Sequence, residues 1–136
     1  MLFICPLALF AQPNTAKQEK IEQIKADFIR QRVDFTTAEA QAFWPIYNDY
    51  HDKRESIIKS RKEMWRKAKD NVDGITDKEM EALIDNELVL KQKELDLQKE
   101  FHKKLKLILS SKKIVKYFLA EEEFRQKLAE IIKQKK

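Results

Sequence analysis

Glycine is almost absent from this chain: Gly74 is the only one in 136 residues, and there are three prolines. Because glycine and proline most readily end or redirect a helix or strand, a chain with so few of them can make few turns. Charged residues make up 38% of the sequence and hydrophobic residues 43%, a mixture typical of long helices with a solvated face. The sequence therefore predicts an all-helical chain with long segments.

Three short segments carry the pattern that begins a helix. In Phe35-Thr36-Thr37-Ala38-Glu39 the Thr36 hydroxyl can accept from the N–H of Glu39, and the Glu39 carboxylate can bond back, which forms a capping box. The same pattern returns at 75–79 (ITDKE), and a weaker copy lies at 109–113 (LSSKK), where Leu109 and Ser110 begin it but no acidic residue closes it. We expect these segments to begin the second, third and fourth helices.

Apolar spacing gives the approximate bounds of the helices. The first is predicted over about 17–32, the second over about 37–72 and the third over about 77–109. The turn between the second and third holds Gly74, which we expect to take the left-handed conformation that often ends a helix. The predicted fold is about four helices with a long antiparallel helical hairpin. Such a rod-shaped chain buries little surface, which favours self-association.

One face of the second helix combines apolar and cationic side chains. A helical projection at about 100° per residue gathers Phe43, Tyr47 and further apolar side chains on this face, with two arginines near its middle. Either the arginines extend from the edge of the face to solvent or pair with carboxylates of a neighbouring helix, or part of the face is an open surface on which other chains bind. The residues predicted for such a surface are Tyr50, Arg54, Ile57, Arg61, Met64 and Trp65.

Pro45 lies on the opposite, polar side of the second helix. Proline lacks an N–H, so the helix either bends around its apolar face at this point or breaks and restarts at Trp44-Pro45. Phe43 and Tyr47 are predicted to be core, whereas Trp44 lies off the apolar face. The third helix carries two apolar stripes and is therefore expected to contact two neighbours, the second helix and either the fourth helix or a second subunit.

The N-terminal residues 1–11 read MLFICPLALFA and are uncharged. An apolar run that ends in a small residue is typical of a secretory signal, and it is shorter than the ~20 residues of a membrane span. We interpret 1–11 as a signal-peptide remnant whose basic n-region is missing, and we therefore expect the true start to lie upstream. Residues 12–136 are then a single all-helical periplasmic domain. Cleavage after Ala11 would remove Cys5, the one cysteine of the sequence.

Motifs for catalysis are missing from the sequence. It holds no glycine-rich phosphate loop, no nucleophile turn and no Cys/His pattern with metal spacing, so we expect no enzyme activity, no cofactor and no metal. Although the net charge is +5, acidic residues interrupt nearly every basic run, which argues against nucleic-acid binding. We also expect no stable membrane insertion.

The segments FTTAEAQAFWPIYNDY and LSSKKIVKYFLAEEEFRQKL, following a signal-like start, resemble the LTxxQ-type, Spy/CpxP-like family of periplasmic proteins. A branch of this family is often labelled sensor of an extracytoplasmic-function sigma factor. The most specific part is Phe43-Trp44-Pro45 with Tyr47 and Tyr50, while the motif itself maps onto 35–39 and 109–113 with substitutions. The resemblance implies an antiparallel, cradle-shaped homodimer whose long helices form a coiled coil.

The resemblance also implies a function in the envelope stress response. We expect an ATP-independent periplasmic chaperone or stress adaptor that binds unfolded or misfolded envelope proteins on a concave apolar and cationic surface. The alternative is a regulator that binds the periplasmic sensor domain of one signalling protein, in a sigma-factor or two-component pathway. Non-native chains present apolar groups and negative charge, which such a surface can hold without an energy source.

Overall fold

A computed structural model describes residues 13–135, and in this part of the chain it contains four α-helices and no β-strand. The helices are α1 (Pro13–Val33), α2 (Thr37–Asp70), α3 (Asp77–Ile108) and α4 (Ser111–Gln134), and a short 3₁₀ turn at Val72–Gly74 joins α2 to α3. The prediction of an all-helical chain with four helices is confirmed. The predicted signal peptide lies outside the described residues.

Capping boxes begin α2 and α3, as the sequence predicts. The N–H of Glu39 donates to the Thr36 hydroxyl at 3.1 Å, and the Thr36 N–H donates to the Glu39 carboxylate at 2.9 Å. Thr76 and Glu79 make the same two bonds at 3.2 Å. Each box satisfies two backbone N–H groups that the first turn of a helix otherwise leaves without a partner.

The third start signal forms half a box and is joined to the first. Ser110 accepts from the N–H of Lys113 at 3.3 Å, but Lys113 has no carboxylate with which to bond back. Its ammonium group instead donates to Glu39. This bond, followed by the Thr36 N–H, lowers the pKa of Glu39 below its ordinary value. The third residue of α4, Lys113, therefore ties the beginning of α4 to the third residue of α2, Glu39.

The turn between α2 and α3 includes Gly74, as predicted, but the conformation of Gly74 differs from the expected one. Helix α2 ends at Asp70, two residues earlier than expected, and Gly74 does not have a positive φ. A Cβ atom at Gly74 would lie 2.5 Å from the side-chain oxygen of Asn71, so the close approach of that side chain favours glycine here. The left-handed residue is Asp34, with φ of 59° after α1, a conformation that aspartate tolerates better than most residues.

Pro45 lies inside a continuous helix. Helix α2 runs from Thr37 to Asp70 without interruption, so the alternative of a break and restart at Trp44-Pro45 is wrong. Pro45 is exposed, and water can therefore reach the carbonyl group that proline leaves without an intrahelical N–H.

Residues Phe35–Ile114 form one compact unit, called here the hairpin unit, in which α2 packs against α3. Aromatic rings fill the base of this hairpin: the Phe43 ring lies 4.6 Å from Phe35, 4.9 Å from Trp44 and 5.6 Å from Tyr47. Phe43 and Tyr47 are buried, as predicted for core residues. Trp44 joins the cluster through edge contacts with its neighbours. Although it lies off the apolar face, it therefore packs with the aromatic rings of the base.

Residues 13–34 and 115–135 belong to a second compact unit. Its buried side chains are Ile29, Val33, Tyr117 and Ala120. Glu121 accepts from the Tyr117 hydroxyl at 2.8 Å and pairs with Lys25 of α1 at 2.9 Å. Part of the acidic run at 121–123 thus holds α4 to α1.

The Thr36 cap gives a prediction of stability. Replacing Thr36 by alanine removes the acceptor for the Glu39 N–H and should lower the free energy of unfolding by about 1 kcal/mol. Urea unfolding followed by circular dichroism measures this change.

The matched control is Thr37→Ala, one residue further on, where the exposed threonine is the first residue of α2. It should leave the unfolding midpoint nearly unchanged. Equal effects of the two substitutions would contradict a capping role for Thr36.

Candidate binding surface

The six residues predicted to bind other chains fall into two sets on α2. Tyr50, Ile57 and Met64 are spaced by seven residues and therefore share one side of the helix. Arg54, Arg61 and Trp65 form a neighbouring stripe of the same face and bond to α3. The structure thus keeps each set together but gives the two sets different surroundings.

The first set lies along one side of the seam between α2 and α3. The Tyr50 ring stacks on Phe101 with 4.1 Å between the centroids. Ile57 lines an open groove of about 470 Å³ together with Leu97 and Lys93. Met64 lines a second open groove of about 590 Å³, near the tip of the hairpin, with Ile75 and Leu83. Both grooves have apolar floors and charged edges.

The second set belongs to a group of charged side chains that bridges the two helices, and we call Arg54, Arg61, Glu87, Glu94 and Trp65 the charge cluster. Arg61 donates to Glu87 through Nη2 at 2.5 Å and lies 3.5 Å from Glu94. Arg54 donates to Glu94 at 3.2 Å. The Trp65 indole N–H donates to Glu87 at 2.9 Å.

Glu87 is the centre of the charge cluster. Although it is a carboxylate, only 8% of its surface is exposed. The Arg61 guanidinium, and after it the Trp65 N–H, lower the pKa of Glu87 from 4.5 to about 2, because both groups donate to the charged carboxylate. The same bond raises the pKa of Arg61. Glu87 is therefore ionised and paired at neutral pH.

In the structure the arginines of α2 pair with carboxylates of the neighbouring helix α3, which is one of the explanations given for them. Sequence reasoning missed the partners Glu87 and Glu94, although a signal for them was present. Arg54 and Arg61 are seven residues apart on α2, and Glu87 and Glu94 are seven residues apart on α3. In an antiparallel hairpin, two such pairs can face each other along the seam.

A row of apolar side chains on α3, which are not among the six predicted binding residues, is exposed. Ile84 and Leu88 are 55% and 58% exposed, and Leu95 is also exposed. They belong to one of the two apolar stripes of the third helix, in which Leu105 and Leu109 are buried. Trp65 lies beside this row, since its indole bonds to Glu87, the residue before Leu88.

Basic side chains lie next to this apolar row. Lys62 and Lys69 lie three residues before and four residues after Trp65, and are therefore its neighbours on the surface of α2. Lys91 lies between Leu88 and Leu95 in the same way and approaches Glu87 at 3.7 Å. We define the exposed face by its members on the two helices: Lys62, Trp65, Lys69, Ile84, Leu88, Lys91 and Leu95.

Residues 13–135 hold neither a metal-binding cluster nor a membrane-spanning helix. No group of three or more histidine, cysteine, aspartate or glutamate side chains in this range is placed to hold a metal ion. None of the helices in the same range combines the length and the apolar character that crossing a membrane requires.

Comparison of the chain with models of protein families, with characterised proteins and with solved structures gives no match. The resemblance to the LTxxQ-type family therefore rests on the residues of this chain alone.

The paired state of Glu87 predicts that acid destabilises the hairpin. Because the pKa of Glu87 in the folded chain is about 2 against an ordinary 4.5, the pair stabilises the fold fully above pH 4.5, and its contribution is lost as the pH falls toward 2. Wild type should be more stable than Glu87→Gln at neutral pH. Urea unfolding at a series of pH values should show this difference shrinking between about pH 4.5 and 2.

Glu81→Gln is the matched control, since Glu81 is exposed and lies on the same helix. The free energy of unfolding of this variant should stay close to that of wild type across the same pH range. A gap between wild type and Glu87→Gln that is constant down to pH 2 would contradict the pairing.

Proposed function

We propose that this protein is an ATP-independent periplasmic chaperone or envelope-stress adaptor, and that it binds non-native protein segments on the hairpin unit. The observation that carries the proposal is the exposed face, where apolar side chains lie next to lysines on a chain that offers no catalytic pattern. The resemblance to the LTxxQ-type family supports the same function. Binding needs no cofactor and no energy source.

The apolar part of the exposed face supplies the attraction. Exposed apolar side chains that lie together mark surfaces on which proteins interact. Ile84, Leu88 and Leu95 form such a row, and Trp65 adds an aromatic ring that is 43% exposed. An unfolded segment gains about 25 cal/mol for each Å² of apolar surface that it buries on this row.

The basic part of the exposed face selects among segments. Residues 53–69 of α2 hold eight basic and two acidic residues, so this part of α2 contributes positive potential on the side where Lys62 and Lys69 lie. Segments that combine apolar and acidic side chains are therefore favoured over basic ones. The open grooves at Ile57 and Met64 offer a second apolar surface along the other side of the seam.

A second copy of the chain is the other occupant that we propose for α3. Residues 77–87 hold five acidic residues and one basic residue, whereas 99–106 hold four basic residues and one acidic residue. Two α3 helices that run antiparallel would place these opposite charges together. This arrangement supports the homodimer and the cradle shape that the family resemblance implies.

Removal of apolar side chains from the exposed face should weaken chaperone activity. We expect Ile84→Ser/Leu88→Ser to lower several-fold the protection that the purified protein gives to an aggregating client, because apolar contact area is lost. Light scattering of a chemically denatured client on dilution measures this. Sedimentation of the same variant reports whether self-association is lost as well.

Val89→Ser/Leu107→Ser is the matched control. Both side chains are exposed on α3, but they lie about 100° or more around the helix from the row of Ile84 and Leu88. This variant should protect clients as wild type does. Equal protection by all three proteins would contradict the exposed face as the binding surface, and capture of one stoichiometric partner from envelope extract would favour the regulator.

The proposed location has its own test. Cell fractionation should recover the protein in the periplasm, and mass spectrometry of the recovered chain should show that it begins at Gln12, because Ala11 supplies the small residue that a signal peptidase requires. A cytoplasmic protein that retains residues 1–11 would contradict export.

A further inference from the structure

The hairpin unit is fastened in two different ways along its length. At its base the seam is closed by buried apolar side chains, which include Phe43, Tyr47, Phe101 and Leu105. Along residues 48–100, all of which the structure describes, Glu87 is the only buried side chain. The outer part of the hairpin is therefore held by the charge cluster and by apolar side chains that are only half-buried, such as Ile58 and Leu90.

The charge cluster places acidic side chains of α3 on the cationic residues of α2. Glu87 occupies Arg61 through both carboxylate oxygens, with distances of 2.5 and 3.2 Å, and also accepts from Trp65. Glu94 contacts Arg54 at 3.2 Å and Arg61 at 3.5 Å. An acidic segment that approaches from outside therefore finds these three donors already bonded.

We propose that Glu87 and Glu94 are internal competitors of acidic client segments, which bind fully only when the outer part of the hairpin opens. This inference rests on the proposed function and adds a regulation of client binding at the charge cluster, which shares Trp65 with the exposed face. In the closed chain, α3 supplies the carboxylates for Arg54 and Arg61. In the open chain a client supplies them, and the indole of Trp65 and the half-buried apolar side chains of the seam become available to it.

The exchange is energetically accessible because each arginine is paired in both states. One carboxylate replaces another. The free energy of opening therefore depends on the half-buried apolar contacts that are lost and on how much more strongly an arginine pairs with the carboxylate of α3 than with that of a client. A client that binds only the open state has its apparent affinity reduced by the fraction of chains that are open. Weakening the charge cluster should raise that fraction and therefore tighten binding.

The test compares the mature chain, which begins at Gln12, with its Glu87→Gln/Glu94→Gln variant, in which the carboxylates are replaced by amides of the same shape. Both carry Trp44→Phe, so that Trp65 is the single tryptophan. The probe is reduced and carboxymethylated α-lactalbumin, an acidic chain that cannot refold. We expect the double variant to bind it about three- to tenfold more tightly. Hydrogen exchange at 54–69 and 83–95 should be faster, and Trp65 should be more accessible to a soluble quencher.

The matched control is Glu81→Gln/Asp85→Asn, which removes the same two charges from exposed positions of α3. It should leave affinity and hydrogen exchange close to those of wild type. A gain in affinity equal to that of the double variant would overturn the inference in favour of a general charge effect. Faster exchange without tighter binding, or unchanged exchange, would also overturn it.

Failure of the inference and failure of the proposed function give different results. If wild type binds the probe but Glu87→Gln/Glu94→Gln binds it no better, the exposed face holds clients without internal competition. If neither wild type nor any variant binds the probe or protects aggregating clients, the chaperone function itself is wrong, and the internal competition is wrong with it. A second probe, the same chain with its carboxylates amidated, should show no gain in the double variant.

Discussion

Two arginines of α2 and two glutamates of α3 decide how the hairpin closes beyond its aromatic base. Arg61 bonds to Glu87 at 2.5 Å, and Arg54 bonds to Glu94 at 3.2 Å, in a part of the hairpin where no apolar side chain is fully buried. Half-buried ion pairs hold helices in register but add modest stability, because desolvation offsets much of the attraction between the charges. Charge pairs thus specify the register of α2 and α3 in the outer hairpin but stabilise it weakly. In that register, apolar side chains of α3 stay exposed.

Local sequence predicted the positions at which α2, α3 and α4 begin, whereas α1 begins at Pro13, before the predicted start at about residue 17. A capping box depends on side chains only three residues apart, so the bonds of Thr36 with Glu39 and of Thr76 with Glu79 follow from residues within a single turn. The third start signal shows the limit of that reasoning. Its residue Lys113 has no local partner that could close a box, and its ammonium group bonds to Glu39, 74 residues away.

At two places the packed helices decide what the sequence of one helix does not. Gly74 was expected to supply a left-handed turn, but it lies close to the Asn71 side chain, and Asp34 is the residue with a positive φ. Arg54 and Arg61 were open to two interpretations, because a helical projection gives the face of a residue and not the residue opposite it. The carboxylates that pair with them come from α3, and only packing of the two helices brings them together.

The sequence by itself determined the all-helical class, the starts of α2 and α3 and the mixed apolar and cationic character of α2. Each of these depends on spacing within one helix, where 3.6 residues per turn fix which side chains are neighbours. The tertiary structure alone decided which cations are paired and which apolar side chains stay exposed. Those outcomes depend on the register between α2 and α3, which places Glu87 against Arg61 and Trp65 and leaves Ile84 and Leu88 on the outside.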